Sequence, residues 1–297
     1  MNLSERSWEQ VRLVDNEIVA SNARIDVVMW SRNRANLLPG VLSAIDLELA
    51  GRVNKKVFVV GNISDSGVPI ARDFHWDVYS SGTWGIGAQA NEALSHVESE
   101  YFASIESDIL LRKGWFENLF PLISGDSRIA VAHGITLPED NKLRKFESFF
   151  IQRRGDTITR FIQSLGNGLV ALSNNLYRTS VIREVGGFDT SEPVSVDHSL
   201  RDAVTRAGYR WIIKQDLVST HLGHTLQEVL AHSYTQRLKS KRQTRILKLL
   251  AALAFSPITG AELARWGGDI EFMKVYVTYR ALAVRARIEY LSSALRN

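Results

Sequence analysis

Apolar strand-like segments alternate with helix-like segments through the first half of the chain, and this alternation is the feature that most limits the fold. The strand-like segments cover residues 25–30, 55–61, 77–81 and 101–107. Helical patterns follow from about Pro39, from Ala88 to His96 and from Trp115 to Ile123. Strands and helices alternating at this spacing predict βαβ units and a mainly parallel, doubly wound sheet. The predicted fold class is therefore α/β.

Length and composition are those of an ordinary globular protein. The 297 residues are enough for one large domain or for a domain with an appendage, and 45% of them are hydrophobic. The absence of cysteine excludes disulfides and thiolate metal sites. The first ten residues are polar, and the longest apolar run, Ile246 to Phe255, is too short to span a bilayer. We therefore expect a cytoplasmic protein.

Charge is distributed unevenly along the chain. Residues 226–297 carry 12 Lys and Arg against 5 acids, a net charge of +7. We accordingly predict a boundary near Thr225, with a body at 1–225 and a basic helical extension at 226–297. The basic segment from Arg237 beside the apolar run predicts either a peripheral contact with an anionic membrane or a packed helical subdomain with a solvated basic face. No recognised motif supports nucleic-acid binding.

Polar residues follow the predicted strands, at the sheet edge where ligands of parallel α/β sheets bind. They are Ser31 to Arg34, Gly61 to Asp65 and Glu106 to Asp108. Glu106-Ser107-Asp108 places two carboxylates one residue apart. Such a pair is able to bind Mg²⁺ or Mn²⁺ together with substrate phosphates, although a solvated loop has the same composition.

A glycine-rich turn offers an alternative function. Gly85, Gly87 and Ala90 fit the G-x-G-x-x-A pattern of dinucleotide-binding proteins, which would indicate an NAD(P)-dependent oxidoreductase. Two details oppose this interpretation. Three residues separate the turn from its strand, and the turn belongs to the third βα unit, whereas the fingerprint usually opens the first.

The segment from Gly186 to His224 carries the most specific pattern. Asp197 lies just inside a predicted helix, Gly208 lies at that helix's end, and a strand-like run, Arg210 to Ile213, precedes two histidines. An ordinary capped helix has the same features. The succession GGFD, Asp, AGYR and His, however, resembles the acceptor half of inverting family-2 glycosyltransferases with a GT-A fold. The expected fold is thus a GT-A sheet with a C-terminal helical extension.

This resemblance assigns roles to individual residues. It implies that Asp197 is the catalytic base and that Asp108, the last acid of the DXD-like Glu106-Ser107-Asp108, binds Mn²⁺ or Mg²⁺ together with His221. His224 lies close enough to replace His221. The nucleotide-sugar donor is expected to contact residues of the strand-end loops and of the third helix: Ser31, Asn33, Arg34, Asn62, Gly85, Asn91, Glu106 and Ser107.

The chain departs from the family pattern at two places. Gly61-Asn62 replaces the acid that normally follows the second strand, which leaves the nucleotide open. Val196 and Ser199 flank Asp197 where the family often has acids, so a non-catalytic, donor-binding relative is a further alternative. Asn174 and Asn175 resemble acceptor-side positions but equally fit polar turn residues.

The function expected from the resemblance is a metal-dependent inverting sugar transfer from a nucleotide sugar to an acceptor hydroxyl. Asp197 would take the proton of that hydroxyl, and metal at Asp108 and His221 would stabilise the leaving diphosphate. Neither the donor sugar nor the acceptor follows from the sequence. A lipid-linked acceptor would suit a basic extension that contacts membrane.

Overall fold

The computed structural model describes residues 23–31, 34–152, 170–239 and 244–294. The chain forms two compact units. The first comprises the residues up to Thr136, Ala171–Thr190 and Ser199–Thr220. The second comprises Leu137–Val170, Ser191–His198 and His221–Asn297, so it takes in two earlier segments besides the basic extension that the sequence delimits at Thr225.

Eight strands of the described part of the chain form one sheet. They are β1 (Ile25–Ser31), β2 (Val53–Val60), β3 (Asp77–Ser80), β4 (Tyr101–Ser104), β5 (Ile109–Leu110), β6 (Ile129–Pro138), β7 (Asn175–Arg178) and β8 (Arg210–His221). Their order across the sheet is β3-β2-β1-β4-β7-β6-β8-β5.

The described helices connect these strands and continue beyond them. They are α1 (Leu38–Glu48), α2 (Gly67–Asp73), α3 (Ile86–Ser95), α4 (Trp115–Gly125), α5 (Asn141–Gln152), α6 (Thr179–Glu184), α7 (Val196–Arg206), α8 (Leu226–Lys239), α9 (Ile246–Ala254), α10 (Ser256–Gly267) and α11 (Glu271–Ala294). The α/β prediction and the helical C-terminal region are confirmed.

The sheet is mixed, with a parallel part that the sequence predicts well. Strand β1 pairs in parallel with β2 and with β4, and β2 pairs in parallel with β3. Strand β7 lies antiparallel to both β4 and β6. The sequence predicts strands at the positions of β1 to β4 but none at β6 or β7. All seven residues of β1 are buried, as expected for a strand covered on both faces.

A buried carboxylate holds the amino-terminal end of β1. Asp26 is fully buried and accepts hydrogen bonds from Asn54 Nδ2 at 3.0 Å and from Ser99 Oγ at 2.8 Å. The backbone N–H groups of Glu98 and Ser99 also donate to it, at 2.6 and 2.9 Å. These bonds tie β1 to β2 and to the chain just before β4. A buried charge is tolerated only when its hydrogen bonds are made, as they are here.

We expect Asp26→Ala to lower the free energy of unfolding by about 2–4 kcal/mol, because four hydrogen bonds to one fully buried carboxylate are lost. Urea unfolding followed by circular dichroism measures the change. Asp73→Ala, at an exposed aspartate that ends α2, serves as the matched control and is expected to change stability by less than about 0.5 kcal/mol. Equal effects of the two substitutions would contradict the assigned role of Asp26.

Asn174 connects three elements of the first unit. Its side-chain oxygen accepts from Trp115 Nε1 at 2.7 Å and from Ser219 Oγ at 3.1 Å, and its amide donates to Ile135 O at 3.0 Å. Its φ of 62° is left-handed, a conformation that asparagine tolerates better than most residues. A Cβ at Gly134 would lie 2.8 Å from the Asn174 amide, so the close approach requires glycine there.

Asn175 is also fully buried. Its amide donates to Ala171 O and to Tyr177 Oη, each at 2.7 Å, and its oxygen contacts Nδ1 of the buried His133. Both asparagines therefore have their polar atoms engaged inside the first unit. Asn174 lies in a bend with a left-handed φ, as a polar turn residue does, whereas Asn175 begins β7. An acceptor-side role of the two asparagines stays a prediction.

The second unit is helical. Aromatic and aliphatic side chains of α5 form one cluster with those of α10 and α11: Leu143, Phe146, Phe149, Leu263, Phe272 and Tyr276. Helix α8 is joined to α11 by Arg237, which donates to Tyr279 Oη at 2.9 Å. Burial favours the neutral Tyr279, but the positive charges of Arg237 and Arg280 outweigh it and lower the pKa of this phenol.

Among the described residues, no single helix is both long and apolar enough to cross a membrane. Helices α9 and α10 satisfy the length and composition requirement only when taken together, and the chain bends by 50° between them.

Candidate functional site

The carboxyl ends of β1, β2 and β4 lie at one edge of the sheet. Ser31 is paired with Val60 at the ends of β1 and β2, and Val28 is paired with Ser104 at the end of β4. Because all three strands are parallel, the loops that follow them emerge at the same edge. The structure thus brings together the predicted residues of the three strand-end loops: Ser31, Arg34, Asn62, Glu106, Ser107 and Asp108. Asn33, predicted with them, lies outside the described residues.

An ion pair links two of these loops. Arg34 Nη2 lies 3.7 Å from Asp108 Oδ2. Asp108 and Ser107 are buried, whereas Glu106 is half-buried and its carbonyl accepts a hydrogen bond from Ile109 N that closes the turn into β5. A cation and a carboxylate in contact at a strand edge provide binding groups for both a phosphate and a metal ion.

The end of β1 adds a polar atom to this edge. Ser31 is only 4% exposed, and its hydroxyl is buried with no hydrogen-bond partner among the described residues. Its carbonyl accepts a bond from Gln89 Nε2 of α3 at 3.3 Å. A buried hydroxyl without a partner is costly in a folded protein and is often explained by a bound group.

Gly61 occupies the position after β2 where the family usually has an acid. A Cβ there would lie 2.5 Å from the Trp84 ring and 2.7 Å from Thr83 O, so any side chain would collide with indole and backbone. Asn62 beside it is exposed, and its side-chain oxygen accepts from Ser64 N and Oγ, both at 3.0 Å. Trp84, 42% exposed, is the residue that the sequence analysis missed at this edge. Its closeness to Gly61 in the folded chain shows that Trp84 belongs to this edge.

The glycine-rich turn does not serve as a dinucleotide-binding fingerprint. Strand β3 ends at Ser80 and α3 begins at Ile86, so the turn does not directly join strand and helix. A Cβ at Gly87 would lie 2.5 Å from Asp189 O, which shows that this glycine permits close packing of α3 against another loop. A Cβ at Gly85, the residue before α3, would lie 3.8 Å from the Ala88 Cβ, which is an ordinary van der Waals distance.

Asn91 clamps the loop that follows α6. Its amide donates to Phe188 O at 2.7 Å, and its oxygen accepts from Phe188 N at 2.8 Å. The neighbouring Gly187 has φ 73°, and a Cβ there would lie 2.5 Å from the Asn91 oxygen. The described structure therefore gives Asn91 a contact with backbone, and its predicted contact with donor stays a prediction.

We expect Asn91→Ala to lower the free energy of unfolding by about 1–3 kcal/mol, because both polar backbone groups of Phe188 lose their partner. Thermal and urea unfolding measure the loss. Asn118→Ala on α4 is the control, because it deletes the same type of side chain at an exposed position. The Asn118 amide donates to Gly114 O at 2.7 Å. A stability loss no larger than that of the control would argue against the clamp, and donor titration of the same variant tests the predicted donor contact.

Asp197 and His198 form a close pair in the second unit. Asp197 lies in the first turn of α7, as predicted, and its Oδ1 contacts His198 Nδ1 and N, each at 2.9 Å. Oδ2 makes no hydrogen bond with the described residues. His198 is 8% exposed, and its Nε2 is buried without a hydrogen-bond partner in the described structure. The pair orients Asp197 and leaves one of its oxygens available to accept a proton.

Two histidines lie close together elsewhere in the second unit, and one of them acts electrostatically on a buried carboxyl group. The rings of His221, the last residue of β8, and His224 have centroids 4.1 Å apart. Burial raises the pKa of Glu147 to about 7, and His224 opposes part of this shift. Neutral imidazoles bind metal ions through a ring nitrogen, and a carboxyl with a raised pKa remains partly protonated near neutrality.

Residues 26–186 match the model of the family "Glycosyl transferase family 2". The chain belongs to glycosyl transferase family 2. This family membership makes the protein a glycosyltransferase and replaces the oxidoreductase alternative. Among curated proteins, none matches this chain.

Solved structures confirm the GT-A fold. A mannosyltransferase from Pyrobaculum calidifontis, in complex with GDP-Man and Mn²⁺, is similar with a TM-score of 0.60 at 16% identity over 94% of each chain. A glucosyl-3-phosphoglycerate synthase from Mycobacterium tuberculosis, in complex with phosphoglyceric acid, gives 0.52 at 18% identity over 86% of this chain and 83% of that one. The same synthase with Mn²⁺ and UDP-Glc gives 0.51 at 18%, over 72% and 77%.

Proposed function

We propose that this family-2 glycosyltransferase transfers a sugar from a nucleotide sugar to an acceptor hydroxyl with inversion at the anomeric carbon. The contact of Arg34 with Asp108 at the carboxyl ends of the parallel strands supports this most directly. It combines a phosphate-binding cation with a metal-binding carboxylate at the edge where α/β sheets bind ligands. Complexes of two similar structures with GDP-Man and UDP-Glc point to the same donor class.

The metal ion is proposed to bind Asp108 with His221, or with His224 in its place. Strand β8, which ends at His221, is the neighbour of β5, which begins directly after Asp108. The three residues offer one carboxylate and two imidazoles. Mg²⁺ prefers oxygen ligands alone, so a donor set with imidazole favours Mn²⁺ over Mg²⁺. A bound divalent ion supplies positive charge against the leaving diphosphate.

Arg34 is proposed to bind the donor diphosphate. A guanidinium binds phosphate oxygens in bidentate fashion, and its 3.7 Å contact with Asp108 is longer than a hydrogen bond. Little interaction is therefore lost when the guanidinium turns towards a phosphate. The buried Ser31 hydroxyl at the same edge provides a further donor.

We expect Asp108→Asn to weaken Mn²⁺-dependent binding of a nucleoside diphosphate by roughly tenfold or more, because an amide is a poor ligand for a hard divalent ion. Calorimetric titration of UDP and of GDP, each with and without Mn²⁺, measures the effect. Asp77→Asn, at an exposed position on β3, is the matched control and should bind as the parent does. Unchanged affinity in Asp108→Asn would remove this residue from the metal site.

Asp197 is proposed to act as the general base. It would accept the proton of the acceptor hydroxyl as that oxygen attacks the anomeric carbon and the diphosphate leaves from the opposite face. The contacts of His198 with Oδ1 fix the carboxylate, and Oδ2 is free of hydrogen bonds to described residues. A base held in one orientation near the attacking oxygen contributes through both proton transfer and positioning.

We expect Asp197→Asn to lower the rate of donor hydrolysis about 100-fold, the scale of general-base catalysis, while nucleoside-diphosphate affinity is unchanged. Water takes the place of the unknown acceptor in this assay, which screens several nucleotide sugars with Mn²⁺. Asp202→Asn on the same helix is the control, since Asp202 pairs with Arg201 at 3.2 Å. A near-parental rate in Asp197→Asn would require another base. Donor binding with no hydrolysis by the parent protein would favour the non-catalytic alternative.

The acceptor is proposed to carry a free hydroxyl in the cytoplasm. A soluble small molecule and a lipid-linked acceptor both fit the chemistry at Asp197, because the base acts only on the attacking oxygen. The synthase among the similar structures is complexed with phosphoglyceric acid, a soluble acid. Acceptor screening with both classes follows the donor assay.

A further inference from the structure

Helix α9 and the start of α10 expose an unusual amount of apolar surface. Leu247 is 76% exposed, Leu250 is 44%, Phe255 is 51% and Ile258 is 62% exposed. Scattered exposed apolar residues are normal, but here four large ones fall within twelve residues.

The exposed apolar residues of α9 lie on one face of that helix. Leu247, Leu250 and Ala254 are three, four and seven residues apart, the spacing of a single helical face, and all three are exposed. The opposite face is packed: Leu249 is buried and belongs to a cluster with Ala283 and Val284 of α11. Helix α9 is therefore apolar on both its packed face and its outer face. Packing within the second unit explains why the buried face is apolar, but it does not explain why the outer face is apolar.

The chain segment that carries this face has charges of one sign. Residues 229–261 contain no acid, and their Lys and Arg residues are Arg237, Lys239, Lys241, Arg242, Arg245 and Lys248. Of these, Lys239, Arg245 and Lys248 are exposed in the described structure, and Arg245 and Lys248 flank Leu247 on the chain. Lys241 and Arg242 lie outside the described residues.

We infer that the outer face of α9 and the start of α10, defined by Leu247, Leu250, Phe255 and Ile258, docks on an anionic lipid surface. An apolar face flanked by exposed cations suits the boundary between acyl chains and anionic headgroups. Cations beside the face are attracted by the negative potential of such a membrane. The inference concerns attachment alone and does not depend on the proposed transfer reaction.

A second copy of this chain fits the same face less well. An isologous contact would bring the acid-free basic stretches of both copies together, because a twofold interface uses the same patch on both partners. Like charges placed opposite one another oppose association. An anionic bilayer presents the complementary charge.

Flotation with liposomes tests the inference on the full chain. Vesicles of neutral phosphatidylcholine are compared with vesicles that also contain about 30% phosphatidylglycerol. This anionic lipid gives the membrane a negative surface potential. We expect binding to the anionic vesicles at low salt, weaker binding at high salt because the attraction is screened, and none to neutral vesicles.

Two double variants separate the contributions. Leu247→Gln/Leu250→Gln removes apolar contact, and Arg245→Gln/Lys248→Gln removes charge; each is expected to lower the partition coefficient about tenfold. Leu47→Gln/Arg72→Gln provides the matched control, because Leu47 on α1 is 81% exposed and Arg72 on α2 is exposed. The control should bind as the parent does. Unchanged melting temperatures confirm that each variant is folded.

Three results would overturn the inference. The first is that the parent does not float with anionic vesicles at low salt. The second is that the control loses binding as strongly as the two variants. The third is that light scattering shows a dimer that Leu247→Gln/Leu250→Gln dissociates. The last result would assign the face to a second copy of the chain. A measurement of donor hydrolysis without lipid distinguishes failure of attachment from failure of the proposed transferase function.

Discussion

The parallel pairing of β1 with β2 on one side and β4 on the other is the constraint on which the candidate site depends. The register Ser31 with Val60 and Val28 with Ser104 places three strand ends at one edge. The four hydrogen bonds to Asp26 connect β1 to β2 and to the chain entering β4 at the opposite end. A one-residue slip of β1 would move Ser31 and the loop that bears Arg34 relative to Asp108, and it would also break the bonds to Asp26.

The parallel half of the fold could be predicted because its strands are continuous apolar runs separated by helical patterns. Helices α3 and α4 were also predicted, at Ala88–His96 and Trp115–Ile123, within two residues of the bounds that the structure has. Strand β7 was not, because its first residue, Asn175, looks like a turn residue in the sequence. Its side chain is satisfied by Ala171 and Tyr177 in the folded chain, and those partners are a tertiary feature. Local propensity gives no sign of them.

The position of a candidate site residue could be predicted where it follows directly from a strand, but not where it depends on tertiary contacts. Glu106-Ser107-Asp108 is conspicuous as a sequence because a strand leads directly into it. The role of Gly61 becomes clear only with the Trp84 ring, whose position excludes any side chain there. This packing gives a physical reason why Gly61 stands at the position where the family usually has an acid. It also places a partly exposed indole at the end of β2.

Two buried aspartates of the sheet differ in how firmly their partners are held. Asp26 has both oxygens engaged by short bonds from fixed backbone and side-chain donors, and replacing any of them costs stability. Asp108 faces Arg34 across 3.7 Å, a distance at which a flexible guanidinium is held weakly. A ligand with its own charge is able to displace such a partner without breaking the sheet. Asp26 is thus fixed by short hydrogen bonds at the amino-terminal end of the parallel strands, whereas the ion pair of Asp108 with Arg34 at their carboxyl end is long.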